Sequence, residues 1–179
     1  MKIEVGPRYP DFIVRFLIVF LGAFGVGRGM GATPLEGLGD QAMADESRTA
    51  DWLAYGRTHN ERRFSPLTDV NAANVSGLRP DWYIDLPNDV GLVSTPLVVE
   101  GVLYFTGTMN IIRAVDATSG RLIWEYDPEV AKEVGDRKKV GWVHSRGISF
   151  SQGRLFLATW DGRLIALNAR TGALLWSTR

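Results

Sequence analysis

The sequence predicts an all-β protein built from β-propeller blades, because one unit near the end of the chain is written twice. Residues 114–124 return as residues 166–176, with every shared position displaced by 52 residues. The register extends upstream, where residues 101–105 lie over residues 153–157. Repeats of this length are typical of arrays of small sheets, and short segments punctuated by glycine favour four-stranded blades over helical repeats.

Each copy has the pattern of strands joined by tight turns. Residues 102–106 alternate along the chain and are rich in aromatic and β-branched side chains, as a pleated strand requires. In the following turn Asp116 can accept hydrogen bonds from its own backbone, while Gly120 can adopt a positive φ. The turn leads into a further strand that carries Trp124, and Trp176 stands at the same distance in the second copy.

The repeated tryptophans predict a propeller of the tryptophan-docking type. We expect Trp124 and Trp176 to be buried between neighbouring sheets, where they pack blade against blade. Trp82 reads as the equivalent residue of a degenerate first blade, whereas Trp52 and Trp160 lie outside the repeat register.

The extent of the blades follows from the same register. Consecutive four-stranded blades are expected from about Val70, and a helical or disordered segment is expected before Asp51. Residues 101–127 and 153–179 should form similar β units. In domain terms, residues 45–179 are predicted to be N-terminal blades of a propeller.

Composition excludes several classes of function. The chain of 179 residues has 20 basic and 20 acidic side chains, so no excess of positive charge points to nucleic acid as a partner. It contains no cysteine, which excludes disulfides, thiolate metal sites and cysteine nucleophiles.

The first 44 residues predict a signal peptide or membrane anchor helix followed by a linker. Lys2, Arg8 and Arg15 precede an uncharged run of 11 residues, 16–26. This layout is typical of a secretory signal, and the run is too short for an ordinary membrane span. We expect export, with cleavage near Ala32 or Ala44, and a retained single anchor as the alternative.

Several spaced motifs, in the right order, resemble the PQQ-dependent (quinoprotein) alcohol and glucose dehydrogenases. The resemblance corresponds to their N-terminal portion and runs from about Asp51 to Arg179. Besides both tryptophan hairpins, the residues that carry it are Trp52, 55–57, 63–67, Asn74, Val75, 95–98 and 161–167.

The resemblance implies an eight-bladed periplasmic propeller that binds pyrroloquinoline quinone (PQQ) and calcium and oxidises alcohols or aldose sugars. An aspartate would be the general base, calcium would polarise the quinone, and cytochrome c or ubiquinone would accept the electrons. The family's calcium ligands and catalytic aspartate are expected beyond Arg179. We therefore expect no catalytic or metal-binding residue in this chain, no activity of the chain alone, and the C-terminal blades as a further partner.

The resemblance also implies one cofactor contact. Arg146 matches the family arginine that contacts the quinone, and a guanidinium suits a planar anion that bears carboxylates and ketones. A surface or interblade salt bridge is the alternative role for Arg146. The neighbouring His144 reads as part of the loop structure.

Two departures from the family alter the same predicted cofactor site. Val93 stands where many relatives have a glutamate, and Val140 and Gly141 stand where alcohol dehydrogenases have adjacent cysteines that form a disulfide ring. Trp142 could cover the quinone by stacking or could pack between blades.

Residues 125–139 carry mixed charge and read as a solvated loop between blades.

Two functions of different classes remain open at this stage. A PQQ-dependent oxidoreductase is favoured because the region from Trp52 to Leu67, together with Arg146, goes beyond what blade repeats require. The alternative is a noncatalytic propeller scaffold of the cell envelope, which would keep the tryptophan hairpins without a cofactor pocket.

Overall fold

The computed structural model describes residues 34–87, 89–134 and 145–179. The predicted signal or anchor segment therefore lies outside the described residues. Within the described ranges, no helix has both the length and the apolar character that crossing a membrane would need.

Two four-stranded antiparallel sheets form the core of the structure, and in each the spatial order of strands follows the chain. The first blade consists of β1 (Leu97–Val99), β2 (Val102–Thr106), β3 (Ile112–Asp116) and β4 (Leu122–Tyr126). The second blade consists of β5 (Ser149–Ser151), β6 (Arg154–Ala158), β7 (Leu164–Asn168) and β8 (Leu174–Thr178). The prediction of consecutive four-stranded blades is confirmed for these two units.

Helical structure among the described residues is short. The α-helices are α1 (Asp40–Ala44) and α2 (Val130–Val134), and 3-10 turns span Leu35–Gly37, Val75–Gly77 and Thr108–Asn110. Helix α1 agrees with the expectation of helical structure before Asp51. Helix α2 buries Val130 and Val134, so part of the segment predicted to be a solvated loop is instead packed.

The pairing of strands repeats with the period read from the sequence. Val102 pairs with Asp116 in the first blade, and Arg154 pairs with Asn168 in the second, a displacement of 52 residues. The irregularity after Ala114 recurs after Ala166 at that displacement. Residues 101–127 and 153–179 are therefore similar β units, as predicted.

The hydrophobic core lies between the two blades and is closed on one side by the N-terminal segment. Its buried side chains come from both sheets and from that segment, and they include Leu38, Leu53, Tyr104, Ile112, Phe150, Leu155 and Ile165. Backbone hydrogen bonds fix the segment, because Gln152 N donates to Leu38 O at 2.8 Å and Trp52 N donates to Val98 O at 2.8 Å.

The same side-chain turn closes both blades. Asp116 Oδ1 accepts hydrogen bonds from the backbone N–H groups of Thr118 and Ser119, at 3.0 and 2.8 Å. Asn168 Oδ1 accepts the equivalent pair in the second blade, both at 3.0 Å. Four residues later each turn has a glycine at φ +72°, where other residues are strained.

These glycines are also where the tryptophans dock. Trp82 Nε1 donates to Ala117 O at 3.0 Å, and Trp124 Nε1 donates to Ala169 O at the same distance. A Cβ on Gly120 or on Gly172 would lie 2.7 Å from Cδ2 of the docked indole. The docking prediction is confirmed for Trp82 and Trp124, because only glycine lets each ring lie against the next turn.

Two expectations were wrong. Trp176 is 39% exposed rather than buried, because no sheet among the described residues lies against it. The first strand begins at Leu97 and not near Val70, although Trp82 docks as predicted. In the intervening region the side chains of Asn71 and Asn74 bond to nearby backbone groups, which favours turns over a strand ladder.

Candidate functional site

The two ends of the sheets carry different structures. The end with the side-chain turns is called the turn end, and the opposite end, where β1 and β5 begin, is called the loop end. At the loop end three stretches meet, namely residues 93–95, Thr106 and residues 145–147. This set of residues is called the platform.

Backbone and hydroxyl hydrogen bonds hold the platform together across the two blades. Thr95 N donates to Arg146 O at 2.8 Å, and Thr95 and Gly147 form a parallel bridge. Thr106 Oγ1 donates to Ser145 O at 3.2 Å, and Thr106 N donates to Ser94 Oγ at 3.1 Å. The polar groups at the start of β1 and β5 are thereby tied to the end of β2.

The platform brings together two of the predicted cofactor-binding residues. Arg146 is exposed, and its guanidinium forms no ion pair with a carboxylate in the described parts of the chain. Val93 is 52% exposed at the same end of the first blade. Val140, Gly141, Trp142 and His144 lie outside the described residues.

The β6–β7 loop adds a pair of charged residues to the loop end. Arg163 Nε donates to Asp161 Oδ2 at 2.8 Å, and its Nη2 reaches Pro128 O of the preceding blade connection at 2.6 Å. Burial raises the pKa of Asp161, but the hydrogen bonds from Arg163 and Thr159 outweigh it and leave that pKa below its usual range. Asp161 therefore stays ionised at neutral pH and braces the loop.

An exposed indole lies beside this brace. Trp160 is 44% exposed, and its backbone N–H donates to the buried side chain of Asn110 at 2.9 Å. Asn110 sits in the β2–β3 loop of the first blade, with a φ of +63°. The sequence placed Trp160 outside the docking register, and the structure agrees.

Sequence reasoning missed a buried charged network at the loop end of the first blade. Arg113 on β3 lies between Asp89 and Glu125, at 2.9 and 2.7 Å. The signal that could have found it is an arginine within an otherwise apolar strand, since such a charge needs a partner. Glu125, assigned from the sequence to a solvated loop, is instead on β4 and partners Arg113.

A cleft of about 700 Å³ lies at the turn end, away from the platform. The residues around it include Asp45, Asp51, Asp81 and Glu100, with Arg48 as the basic side chain. Arg48 is already paired with Asp51 and Glu100. The internal pairing makes this cleft a weaker candidate for an anionic ligand than the platform.

The described arrangement of polar and charged groups at the loop end is suited to binding and orienting a ligand. The exposed guanidinium of Arg146 can bind a carboxylate or a polarised carbonyl, with apolar surface from Val93 at the same end of the first blade. Within residues 34–87, 89–134 and 145–179 no cluster of three or more His, Cys, Asp or Glu side chains is arranged to hold a metal ion.

Comparison with protein families matches residues 52–177 to the model described as PQQ: glucose/ethanol/alcohol dehydrogenase, beta-propeller domain. The match covers both blades, the Trp82 segment and the platform. It also covers the Trp52 to Leu67 region that carried the resemblance in the sequence.

Similar proteins are much longer than this chain. It is 42% identical over 149 residues to the dehydrogenase subunit of an alcohol dehydrogenase (quinone) from Komagataeibacter europaeus, covering 83% of this chain and 19% of the relative. It is 45% identical over 151 residues to quinohemoprotein alcohol dehydrogenase ADH IIB from Pseudomonas putida, covering 82% and 22%. The chain thus spans about a fifth of the curated relatives it matches.

Solved structures give the same result for the fold. The quinohemoprotein alcohol dehydrogenase from Comamonas testosteroni superposes with a TM-score of 0.74 at 35% sequence identity, over 82% of this chain and 22% of that chain. A europium-containing methanol dehydrogenase superposes with a TM-score of 0.68 at 30% identity, over 78% and 24%.

Proposed function

Because the chain belongs to the PQQ-dependent glucose, ethanol and alcohol dehydrogenase propeller family, we propose that it supplies blades and a cofactor contact to an enzyme that oxidises alcohols. The similarity to two alcohol dehydrogenases at more than 40% identity supports alcohols over sugars as the substrate class. We further propose a quinone or cytochrome c as the electron acceptor, as in the names of relatives.

The observation that carries the proposal is the platform with its exposed arginine. Arg146 is fixed through its backbone to Thr95, while its side chain is left exposed and without a carboxylate partner among the described residues. A cation without a carboxylate partner in residues 34–87, 89–134 and 145–179 is a candidate to bind an anionic ligand. PQQ is a planar anion with carboxylates and an orthoquinone, so the described residues fit its charge.

The role of this chain's residues is to bind and orient. Bound PQQ would supply the acceptor for the two electrons and two protons that an alcohol loses when it becomes an aldehyde. Arg146 would neutralise negative charge on the cofactor, and the Thr95 and Thr106 hydrogen bonds would keep the arginine in place. Val93 would offer apolar contact where relatives have a carboxylate.

The calcium ligands and the general base are proposed to come from polypeptide beyond residues 1–179. The chain spans about a fifth of its relatives, and its described residues offer no metal cluster. On this proposal residues 1–179 bind PQQ weakly and do not turn over substrate alone.

Export is part of the proposal and rests on the charged start and short apolar run of the sequence. Replacing Leu17 and Leu21 with arginine should block export from a bacterial cytoplasm, because each charge in the run costs roughly 2.5 kcal/mol or more on insertion scales. Fractionation of cells that express the parent chain or the double variant measures the exported fraction. Export of the double variant at the level of the parent would show that the run is not the signal.

The test of function is PQQ-dependent dye reduction. The purified chain is assayed with PQQ, calcium and either ethanol or glucose, alone and together with a relative's remaining blades. We expect turnover only in the combined sample, with ethanol, and a loss of at least about tenfold in PQQ affinity with Arg146→Ala. Arg121→Ala, an exposed arginine at the turn end, is the matched control and should bind PQQ like the parent.

Three results would count against the proposal. Turnover by residues 1–179 alone would mean that the catalytic groups lie within this chain. Equal PQQ affinity of the Arg146→Ala and Arg121→Ala variants would mean that the platform is not the cofactor contact. A scaffold without a cofactor would give no PQQ binding in any sample.

A further inference from the structure

A buried ion pair joins the segment before the platform to the centre of the first blade. Asp89 Oδ2 lies 2.9 Å from Arg113 Nη1, and the two side chains are only 1% and 6% exposed. Arg113 Nε also donates to Glu125 Oε2 at 2.7 Å. Two charges removed from water to this extent are costly unless they compensate each other, so breaking the pair strongly destabilises its surroundings.

The pair is held by packing and charge rather than by a directed bond between its two partners. Neither Asp89 Oδ2 nor Arg113 Nη1 makes a well-aligned hydrogen bond within the described chain. The other carboxylate oxygen of Asp89 accepts from Thr108 N, and Val90 N donates to Thr108 Oγ1 at 3.0 Å. The segment is therefore fastened to the β2–β3 loop on two sides.

Gly107 makes this close approach possible. A Cβ at that position would fall well inside van der Waals contact of both Asp89 Oδ1 and Arg113 Nη1. The backbone of the β2–β3 loop thus lies directly against the ion pair. A larger residue at position 107 would push the two charged groups apart or displace the loop.

The fastened segment leads directly into the platform. Four residues after Asp89 the chain reaches Val93, then Ser94 Oγ accepts from Thr106 N, and Thr95 N donates to Arg146 O. Val90 and Val93 are largely exposed, whereas Leu92 between them packs against the apolar cluster of the first blade. The path of the segment is therefore defined by the ion pair at one end, by Leu92, and by the Ser94 and Thr95 hydrogen bonds at the other end.

We propose that Asp89 and Arg113 are positioning residues that set the platform and, through the Thr95 to Arg146 hydrogen bond, the site of Arg146. The inference rests on the proposed function for its ligand, an anionic quinone. Asp89 and Arg113 reach the platform by two routes, through the segment that follows Asp89 and through the β2–β3 loop that follows Thr106. Their effect is therefore on geometry and not on chemistry.

Amide hydrogen exchange of the chain tests the positioning directly and needs no cofactor. In Asp89→Asn, exchange at the N–H groups of Thr95 and Thr106, neither of which bonds to Asp89, should rise about tenfold relative to amides in the centre of β3. Asp116→Asn is the matched control, the same chemical change in the same blade at the turn end. It should leave both amides within twofold of the parent.

A second variant keeps the test decisive if Asp89→Asn does not fold. Arg113→Lys retains the positive charge, but its single ammonium group cannot contact both carboxylates as the planar guanidinium does. We therefore expect an intermediate increase in the exchange rates of the Thr95 and Thr106 amides. Unchanged exchange at these two amides in either folded variant would overturn the proposal. So would an increase of equal size throughout both blades, because that result reports global destabilisation.

A titration with PQQ, monitored by tryptophan fluorescence, measures whether the positioning affects the affinity for the ligand. Asp89→Asn should weaken PQQ binding about fivefold, whereas Asp116→Asn should match the parent. Equal affinity of the two variants, with parent binding intact, would overturn the link to Arg146. A parent chain that binds no PQQ would refute the proposed function, and the exchange results would still decide whether the ion pair positions the platform.

Discussion

The two blades are alike at the turn end and different at the loop end. At the turn end each has the same side-chain turn, closed by Asp116 or Asn168, and a glycine at φ +72° four residues on. At the loop end the first blade buries an arginine between two carboxylates, whereas the second has a short loop braced by Asp161 and Arg163.

This difference separates the repeated contacts that build the propeller from the end at which we propose that the cofactor binds. The turn end contains the tryptophan-docking contacts, which recur from one blade to the next as blades stack. The loop end contains the platform, where each blade contributes different residues. Binding groups are commonly carried by loops that a rigid scaffold positions, and the proposed site at the loop end has that arrangement.

The largest expected effect is on docking, from Gly172→Val. The substitution places a β-branched residue at φ +72° and drives its Cβ into the indole of Trp124. Strain and overpacking together should lower the free energy of unfolding by about 4 kcal/mol. The matched control is Gly101→Val, at φ +76° with no atom within 4 Å of its Cβ, which should cost about 2 kcal/mol.

Chemical denaturation of the two glycine variants measures this difference. If both lose the same stability, backbone strain explains everything and the contact with the indole contributes nothing. That result would remove the main reason for treating the turn end as the interface between blades.

Truncation of the three tryptophans should give effects that follow their burial. Trp82 is 9% exposed, Trp124 is partly buried and Trp176 is 39% exposed. Substitution by alanine should cost about 3, about 2 and less than about 1 kcal/mol respectively, because the loss scales with the packed surface removed. An effect of Trp176→Ala as large as that of Trp82→Ala would show that β8 is covered in solution.

A smaller difference between the blades should appear in acid. The backbone hydrogen bond from Ser119, with that from its hydroxyl, lowers the pKa of Asp116 from its ordinary value of 3.8. Because the folded-state pKa is the lower one, the stabilisation is present above about pH 3.8 and is lost as the pH falls through the folded value. Asn168 does not titrate, so the second blade lacks this dependence.

The pH dependence of unfolding for Asp116→Asn tests the assignment. In the variant, the free energy of unfolding should change less between pH 5 and pH 2 than in the parent. The turn itself should be kept, since Asn168 closes the turn of the other blade in the same way. The converse variant, Asn168→Asp, should gain acid sensitivity. No change in either profile would mean that the Asp116 turn does not contribute to acid stability.

The repeat allowed much of the fold to be predicted from the sequence. A displacement of 52 residues indicated which strands correspond, and the tryptophan register identified Trp82 as the equivalent residue of an earlier, degenerate blade. The burial of Trp176 was predicted wrongly because burial depends on a neighbouring sheet, which is a property of the assembly and not of the repeat.

The candidate site was only partly predictable, for a physical reason. The match of Arg146 to a family motif predicted one residue of the candidate site, but its backbone hydrogen bond to Thr95 joins positions 51 residues apart. The pairing of Asp89 with Arg113 likewise depends on how a loop folds back onto a strand. Such contacts have no local period, so the sequence pattern that predicted the blades was silent about them.

The central claim is that the loop end, and not the turn end, faces the cofactor. Amide chemical shifts of the chain, recorded during titration with PQQ at concentrations that suit weak binding, test this most directly. We predict shifts at Thr95, Thr106 and Gly147 and none at the turn glycines Gly101, Gly120, Gly153 and Gly172. Shifts concentrated at those glycines, with the platform unchanged at saturating PQQ, would contradict the claim.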